Sequence, residues 1–535
     1  MRIRVVPAII VAAVVALCFW AIQPPGDVSA NPAANVYVEN DLAAVVTQVD
    51  EFFQPRWVEL ELQPAARADD MLMLRRLSLS LMGTIPSLEE IRQFEHDDGP
   101  DRMKRWTIRY LEDPRYADYF AERLARCYVG VENGPFIIFR RDRFVKWLSE
   151  QLATNEPYDS TVRKMVTAEG LWTGDPASNF ITATQANGEL DLNVLAARSA
   201  RSFLGQSLDC AQCHDHFFAE WTQSQFEGLA AQFGEVEVGL GVHDKPGRRY
   251  TLQDSETLED REVDPSVPFQ PDLLPNEGSP REKFAVWLTH EQNRRFDRAI
   301  ANRVWGLMFG RPYIAPVDDM GDPPEADQRD VLDILADDFR QHDCDLRRLI
   351  QVIAASRPYG LGSDYPSEDE DELALLDETW ALFPMTRLRP EQVIGSMMQA
   401  QFVQTIDQNS HLFVRARRFF SEQNFVKAYG DLGDQELVER SGTIPQALLR
   451  MNGEMTRESI KSDWFSAGGR VSGMCETSKD VVETAYLICV SRRPTAAENA
   501  HFLEMLGDRT GDARDTIVED IFWALLNSPE FSWNH

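Results

Sequence analysis

The sequence is poor in cysteine, with seven in 535 residues. That excludes a disulfide-stapled scaffold. Basic residues are also scarce, 54 Lys and Arg against 86 Asp and Glu, for a formal net charge of −32. A field of that sign repels phosphate backbones and anionic headgroups, so no nucleic-acid partner is expected. Beyond one N-terminal run there is no long uncharged apolar stretch, so membrane contact is expected only through that segment. No Gly-rich phosphate loop, Gly-x-Ser-x-Gly elbow, His-Glu-x-x-His zinc helix or fixed-period repeat occurs. What remains is ordinary for a folded chain: 43% hydrophobic and 26% charged residues. Its length points to two or more domains.

The N-terminal run reads as an export signal. Met1-Arg2-Ile3-Arg4 precedes an uncharged, mostly apolar stretch from Val5 to Ile22. Val28-Ser29-Ala30 then places small residues where signal peptidase cuts. Residues 1–30 are a cleaved signal peptide or a retained anchor, and both readings stay open. Either way the body is expected outside the cytoplasm, in the periplasm or an equivalent envelope space, soluble or N-terminally anchored.

A mostly α fold is expected, with two helical domains joined by an irregular segment with minor β. The first domain is placed at 40–233. Ser87-Leu88-Glu89-Glu90 reads there as a capping box opening a helix, and Val194–Leu208 as a closely packed helix. The junction is placed at 234–280, where helical periodicity fades and Pro265, Pro268, Pro271, Pro275 and Pro280 gather. Val236–Val238 and Tyr250–Leu252 are its best strand candidates. The second domain is placed at 281–535, with helices expected over Phe296–Phe309, Gln328–Phe339, Leu346–Ile353, after Thr495, and from about Asp515 to Asn527. The acidic run Glu368–Glu372 reads as a solvated loop, since calcium-loop spacing and its central Gly are missing.

Cys210-Ala211-Gln212-Cys213-His214 carries the chemistry. Two thiols with two residues between them can form thioethers to the two vinyl groups of one haem, and the adjacent imidazole can ligate the iron. Covalent haem c is therefore the expected cofactor, with Cys210 and Cys213 as attachment points and His214 as proximal ligand. Asp215 and His216 are placed beside the site as supporting groups. Zinc on Cys210, Cys213, His214 and His216 is the alternative, although a second pair at finger-like distance is missing. A thiol–disulfide redox pair, a purely structural disulfide or free thiols also remain open. Met165, Met308, Met320 and His243 are sixth-ligand candidates only because they can ligate iron.

Asp318-Asp319 is the best adjacent carboxylate pair, with a turn or cap role preferred over acid–base work. Arg75-Arg76 and Asn302-Arg303 are expected on helices, in structural ion pairs. Cys127, Cys344, Cys475 and Cys489 stand singly, and two disulfides of unassigned pairing are allowed in an oxidising compartment.

With these residues in hand, the chain resembles the planctomycete cytochrome-associated proteins, which carry a cytochrome-like domain of unknown function and a C-terminal companion. The first resemblance runs through Leu74-Arg75-Arg76, Leu81-Met82-Gly83-Thr84-Ile85-Pro86 and Cys210–Trp221. The second runs through Ala301-Asn302-Arg303-Val304-Trp305, Phe309-Gly310-Arg311, Pro316-Val317-Asp318-Asp319, Asp345–Ile350, Ala355-Ser356-Arg357, Ile444–Leu448, Asn452-Gly453 and Ser491-Arg492-Arg493-Pro494. The resemblance implies export and a cytochrome-like N-terminal domain, but no particular reaction. Phe217 stands where the family usually has proline, and no second haem motif precedes residue 40. The expected function is an exported c-type haem protein, passing electrons or serving an oxidoreductase reaction, with a basic redox partner drawn by the acidic surface. The alternative is an envelope scaffold or binding module with a structural Cys/His cluster. A hydrolase using Asp215, Asp318 or Asp319 ranks below both.

Overall fold

The computed structural model describes residues 39–535, apart from 133–138, 187–188, 216–220, 240, 254–258, 408–409, 411–424, 431–432, 434–436, 438–442, 454–455, 458–459 and 463–465. The export segment 1–30 and His216 lie outside the described residues. The described chain is mostly α, as expected, with β structure confined to four two-stranded antiparallel pairs.

Local chemistry sets the helix ends. Ser87 and Glu90 form the reciprocal capping box of the Leu88–Glu95 helix, and Thr495 and Glu498 do the same for Ala496–Leu506. Each box satisfies two donors that a helix start otherwise leaves orphaned. The Leu192–Leu204 helix stops short of Leu208 because Gly205 turns into the left-handed region at φ 60°. The acidic run is only partly a loop. Asp369 caps the Glu370–Glu378 helix, and Glu370, Asp371 and Glu372 fill its first turn, where negative charge favours the helix dipole.

The Pro-rich stretch holds both expected strands. Val236–Val238 pairs with Val242–Asp244, and Tyr250–Gln253 pairs with Asp260–Val263. Val236, Val242, Tyr250 and Val267 are buried in the larger hydrophobic core. That core draws on residues from both sides of this stretch, from Leu42 to Phe383, with Leu437 and Leu487 added. A second core gathers residues from Leu388 to Phe531, joined by Leu79 and Ile85. Most of the described aromatics serve the first. Trp305 stacks on Phe309 at 4.4 Å and meets Trp380 edge-on at 5.2 Å. Fully burying one such side chain contributes about 2–3 kcal/mol.

Arg75 and Arg76 sit on the Asp70–Met82 helix, as expected, but their expected acidic partners are replaced by carbonyls. Arg75 donates to the Cys489, Glu530 and Phe531 oxygens at 3.2–3.3 Å. Arg76 donates to the Tyr359, Leu361 and His535 oxygens at 2.6–2.9 Å and lies 3.6 Å from the Phe383 ring centroid. Both guanidiniums are buried. Burial pushes Arg75 down to about 10 and Arg76 to about 9. They tie the Asp70–Met82 helix to Glu530, Phe531 and His535, which flank the Trp533–Asn534 strand that pairs with Thr386–Arg387.

Candidate functional site

The site is built from the Leu192–Leu204 helix onward. After Gly205 the chain runs through buried Gln206 and Leu208 into a single 3-10 turn, Cys210–Gln212. The Ala211 N–H donates to the Leu208 oxygen at 3.0 Å, and the Cys213 and His214 N–H groups both donate to the Cys210 oxygen, at 3.3 and 3.4 Å. This winding buries Ala211 and turns Cys210, Gln212, Cys213, His214 and Asp215 to solvent. Both thiols are free and exposed.

Two contacts close the turn from behind. The Gln223 N–H donates to Asp215 Oδ1 at 2.8 Å. His214 Nδ1 lies 2.9 Å from the Asp215 carbonyl oxygen. A carbonyl only accepts, so Nδ1 carries the proton in the neutral ring and Nε2 holds the lone pair. That tautomer is the one a metal-ligating imidazole needs.

The other wall comes from far along the chain. On the Arg294–Phe309 helix, the Asn302 amide makes two bonds to the Ile314 backbone, at 2.8 and 3.0 Å. Arg303, buried beside it, pairs with Asp318. These contacts set the 314–320 loop. Asp319 then accepts the Ser207 N–H at 3.3 Å, and the Met320 N–H donates to the Gly205 oxygen at 2.8 Å. Gly205 holds φ at 60°, a left-handed conformation that strains any residue with a side chain, and an added Cβ would also press on Met320 Sδ at 2.7 Å. Arg295 donates to the Gly321 oxygen at 3.2 Å and pairs with Asp322. Its guanidinium carbon stands 5.3 Å from the Trp221 ring centroid and 5.0 Å from that of Phe269.

The expected acid pair is thus divided between two tasks. Asp318 neutralises a buried arginine, Asp319 holds a backbone amide, and Asp215 holds another. Met165 and Met308 are fully buried in the larger core, where they fill space. Met320 is half-buried against Gly205, and His243 is exposed on the Val242–Asp244 strand. Among the described residues, no three His, Cys, Asp or Glu side chains converge as a metal cage.

Cys127, Cys344, Cys475 and Cys489 are all free thiols. The disulfides allowed by the sequence therefore do not form between them. Burial pushes the Cys127 thiol up to about 11 and Cys344 to about 12, which makes both poor nucleophiles. The Ser207, Gln223 and Arg295 contacts carry no signal in the sequence. Their partners lie 112, 8 and 27 residues away and share no motif.

Fold and site together define a mostly helical protein presenting an exposed Cys-x-x-Cys-His turn backed by a loop from its second half. Residues 48–238 match the family PSCyt2, a protein of unknown function (DUF1549), and residues 280–412 match PSD1, a protein of unknown function (DUF1553). The chain thus carries two successive matches to families of unknown function. No curated protein and no solved structure matches it.

Proposed function

We propose that this chain is an exported c-type haem protein that serves electron transfer or an oxidoreductase reaction. One observation carries the reading: the 210–214 turn offers two free, exposed thiols beside an imidazole whose Nδ1 is committed to the Asp215 carbonyl. Thioether formation needs thiols that are accessible and outside any disulfide. Iron ligation needs an imidazole with Nε2 unprotonated, and the Asp215 carbonyl favours that tautomer. Haem, when bound, supplies one-electron exchange at its iron.

The chain's own residues fix position. Cys210 and Cys213 hold the group covalently, and Gln223 holds Asp215 and so the His214 carbonyl partner. Asp319 and Met320 anchor the approach from Gly205. The site takes its redox role from outside contacts, and the net charge of −32 favours a basic partner.

The test is production of the full chain in cells with haem-attachment machinery. A Soret band that survives acid–acetone extraction is expected, and it should vanish in the Cys210→Ser, Cys213→Ser double variant. An intact chain without covalent haem would sink the reading. Stoichiometric zinc with no iron would favour the structural-cluster alternative instead.

A further inference from the structure

A groove of about 680 Å³ lies apart from the cysteine turn. Its walls are the start of the Glu39–Glu59 helix, residues 65–77, the first turn of the Arg102–Glu112 helix, and residues 351–361. The 65–77 and 351–361 walls are pinned to each other. Ala68 N–H donates to the Gly360 oxygen at 2.9 Å, and Gly362 N–H donates to the Ala66 oxygen at 2.7 Å. The volume is that of a small-molecule site rather than a packing defect.

The lining has two characters. Leu42, Met73, Leu77 and Leu361 give an apolar floor. Four cations, Arg67, Arg102, Lys104 and Arg357, line it with two carboxylates, Asp70 and Asp101, and a third, Asp50, stands behind Arg357 and accepts its backbone N–H at 2.6 Å. In a chain of net charge −32 that local excess is reversed in sign. Arg67 and Arg102 share Asp70, at 2.9 and 2.5 Å, so that trio keeps one positive charge. Arg357 lies over the Trp57 ring at 5.0 Å. Among the described residues no carboxylate pairs with the half-buried Lys104. Asp101 caps none of the first-turn amides with its side chain, so the positive end of that helix adds to the field.

A cation beside an apolar floor is poorly used by a metal, which it repels, or by a sugar, which has no tail to bury. We propose that the groove binds a small amphipathic organic anion. Its carboxylate or phosphate head meets Lys104 and the neighbouring guanidiniums, and its apolar tail lies along Leu42, Met73 and Leu77. This stands independently of the haem reading.

Calorimetric titration of the full chain with octanoate, octyl phosphate and, as the uncharged control, 1-octanol tests it. At least one anion is expected to bind saturably at one site, at least tenfold tighter than 1-octanol. Preference between the two anions identifies the head group, and equal binding identifies a site for either. Lys104→Glu should weaken binding at least tenfold. Ala355→Trp, at an exposed position on the groove wall, should abolish it while leaving the charges in place. Both variants should melt like the parent chain. The Cys210→Ser, Cys213→Ser chain should bind the anion unchanged. Absence of saturable binding by both anions, equal affinity for 1-octanol, or parental affinity in either folded variant would overturn the proposal.

Discussion

Asp319 accepts the Ser207 backbone N–H at 3.3 Å, across 112 residues of sequence. That contact places a carboxylate from the second half of the chain three residues before Cys210. Its neighbour Asp318 faces the other way and pairs with Arg303. Adjacent residues in a turn point apart, and here each finds a different donor.

The two aspartates should therefore fail differently. Asp318→Ala strips the buried Arg303 of its counter-charge and is expected to cost about 3 kcal/mol of stability. Asp319→Ala removes one hydrogen bond at a more exposed position and should cost about 1 kcal/mol. Urea denaturation of both variants measures the difference. Equal costs would show that the pair acts as one unit.

Glu391 gives the chain an acid limb. Burial alone would raise its carboxyl, but the guanidiniums of Arg123 and Arg126 outweigh that and hold it down at about 2. An acid with a depressed folded pKa contributes stability above its unfolded value of 4.5, and that stability is lost as pH falls towards 2. The swing is about 3 kcal/mol. Glu391→Gln should lower stability at neutral pH and flatten the dependence between pH 4.5 and 2. Parallel curves for parent and variant, from denaturation at a series of pH values, would assign the acid limb elsewhere.

Arg76 is a test of fork geometry. Three carbonyl oxygens and the Phe383 face converge on its guanidinium. A lysine keeps the charge but cannot span that set. Arg76→Lys is expected to cost about 2–4 kcal/mol, nearly as much as Arg76→Met, because carbonyls are left unpaired in both. A lysine variant as stable as the parent would show that charge alone is what the site requires.

Much of the local structure was legible. The capping boxes at Ser87 and Thr495 are read from four residues each, because the donors they satisfy lie within the same turn. The strands at Val236 and Tyr250 follow from alternation beside proline-rich turns. The Cys210–His214 motif was legible for the same reason, since its spacing is a property of one turn. The surroundings of that turn were not. Nothing in Ser207 or Gln223 announces its partner, and Asp319 looks the same in sequence whether it caps a helix or reaches Gly205–Asp209. The acidic run at 368–372 is part loop and part helix start, because its composition suits both. Only the position of Asp369 as cap decides between them.

The sequence by itself determined the helical class, the charge, the cysteine spacing and the places where helices begin. These are short-range matters, set by side chains within a few residues of one another. Tertiary structure alone decided which carbonyls receive Arg75 and Arg76, that Asp318 and Asp319 part company, and that both thiols of the motif face outward. It also decided that four cations of an acidic chain meet at one groove. Each of these depends on segments brought together by core packing, and burial strengthens every polar contact so made. The scarcity of basic residues thus takes on a shape. Many of the arginines are spent inside the fold, and a few of the remaining cations are gathered where an anion could use them.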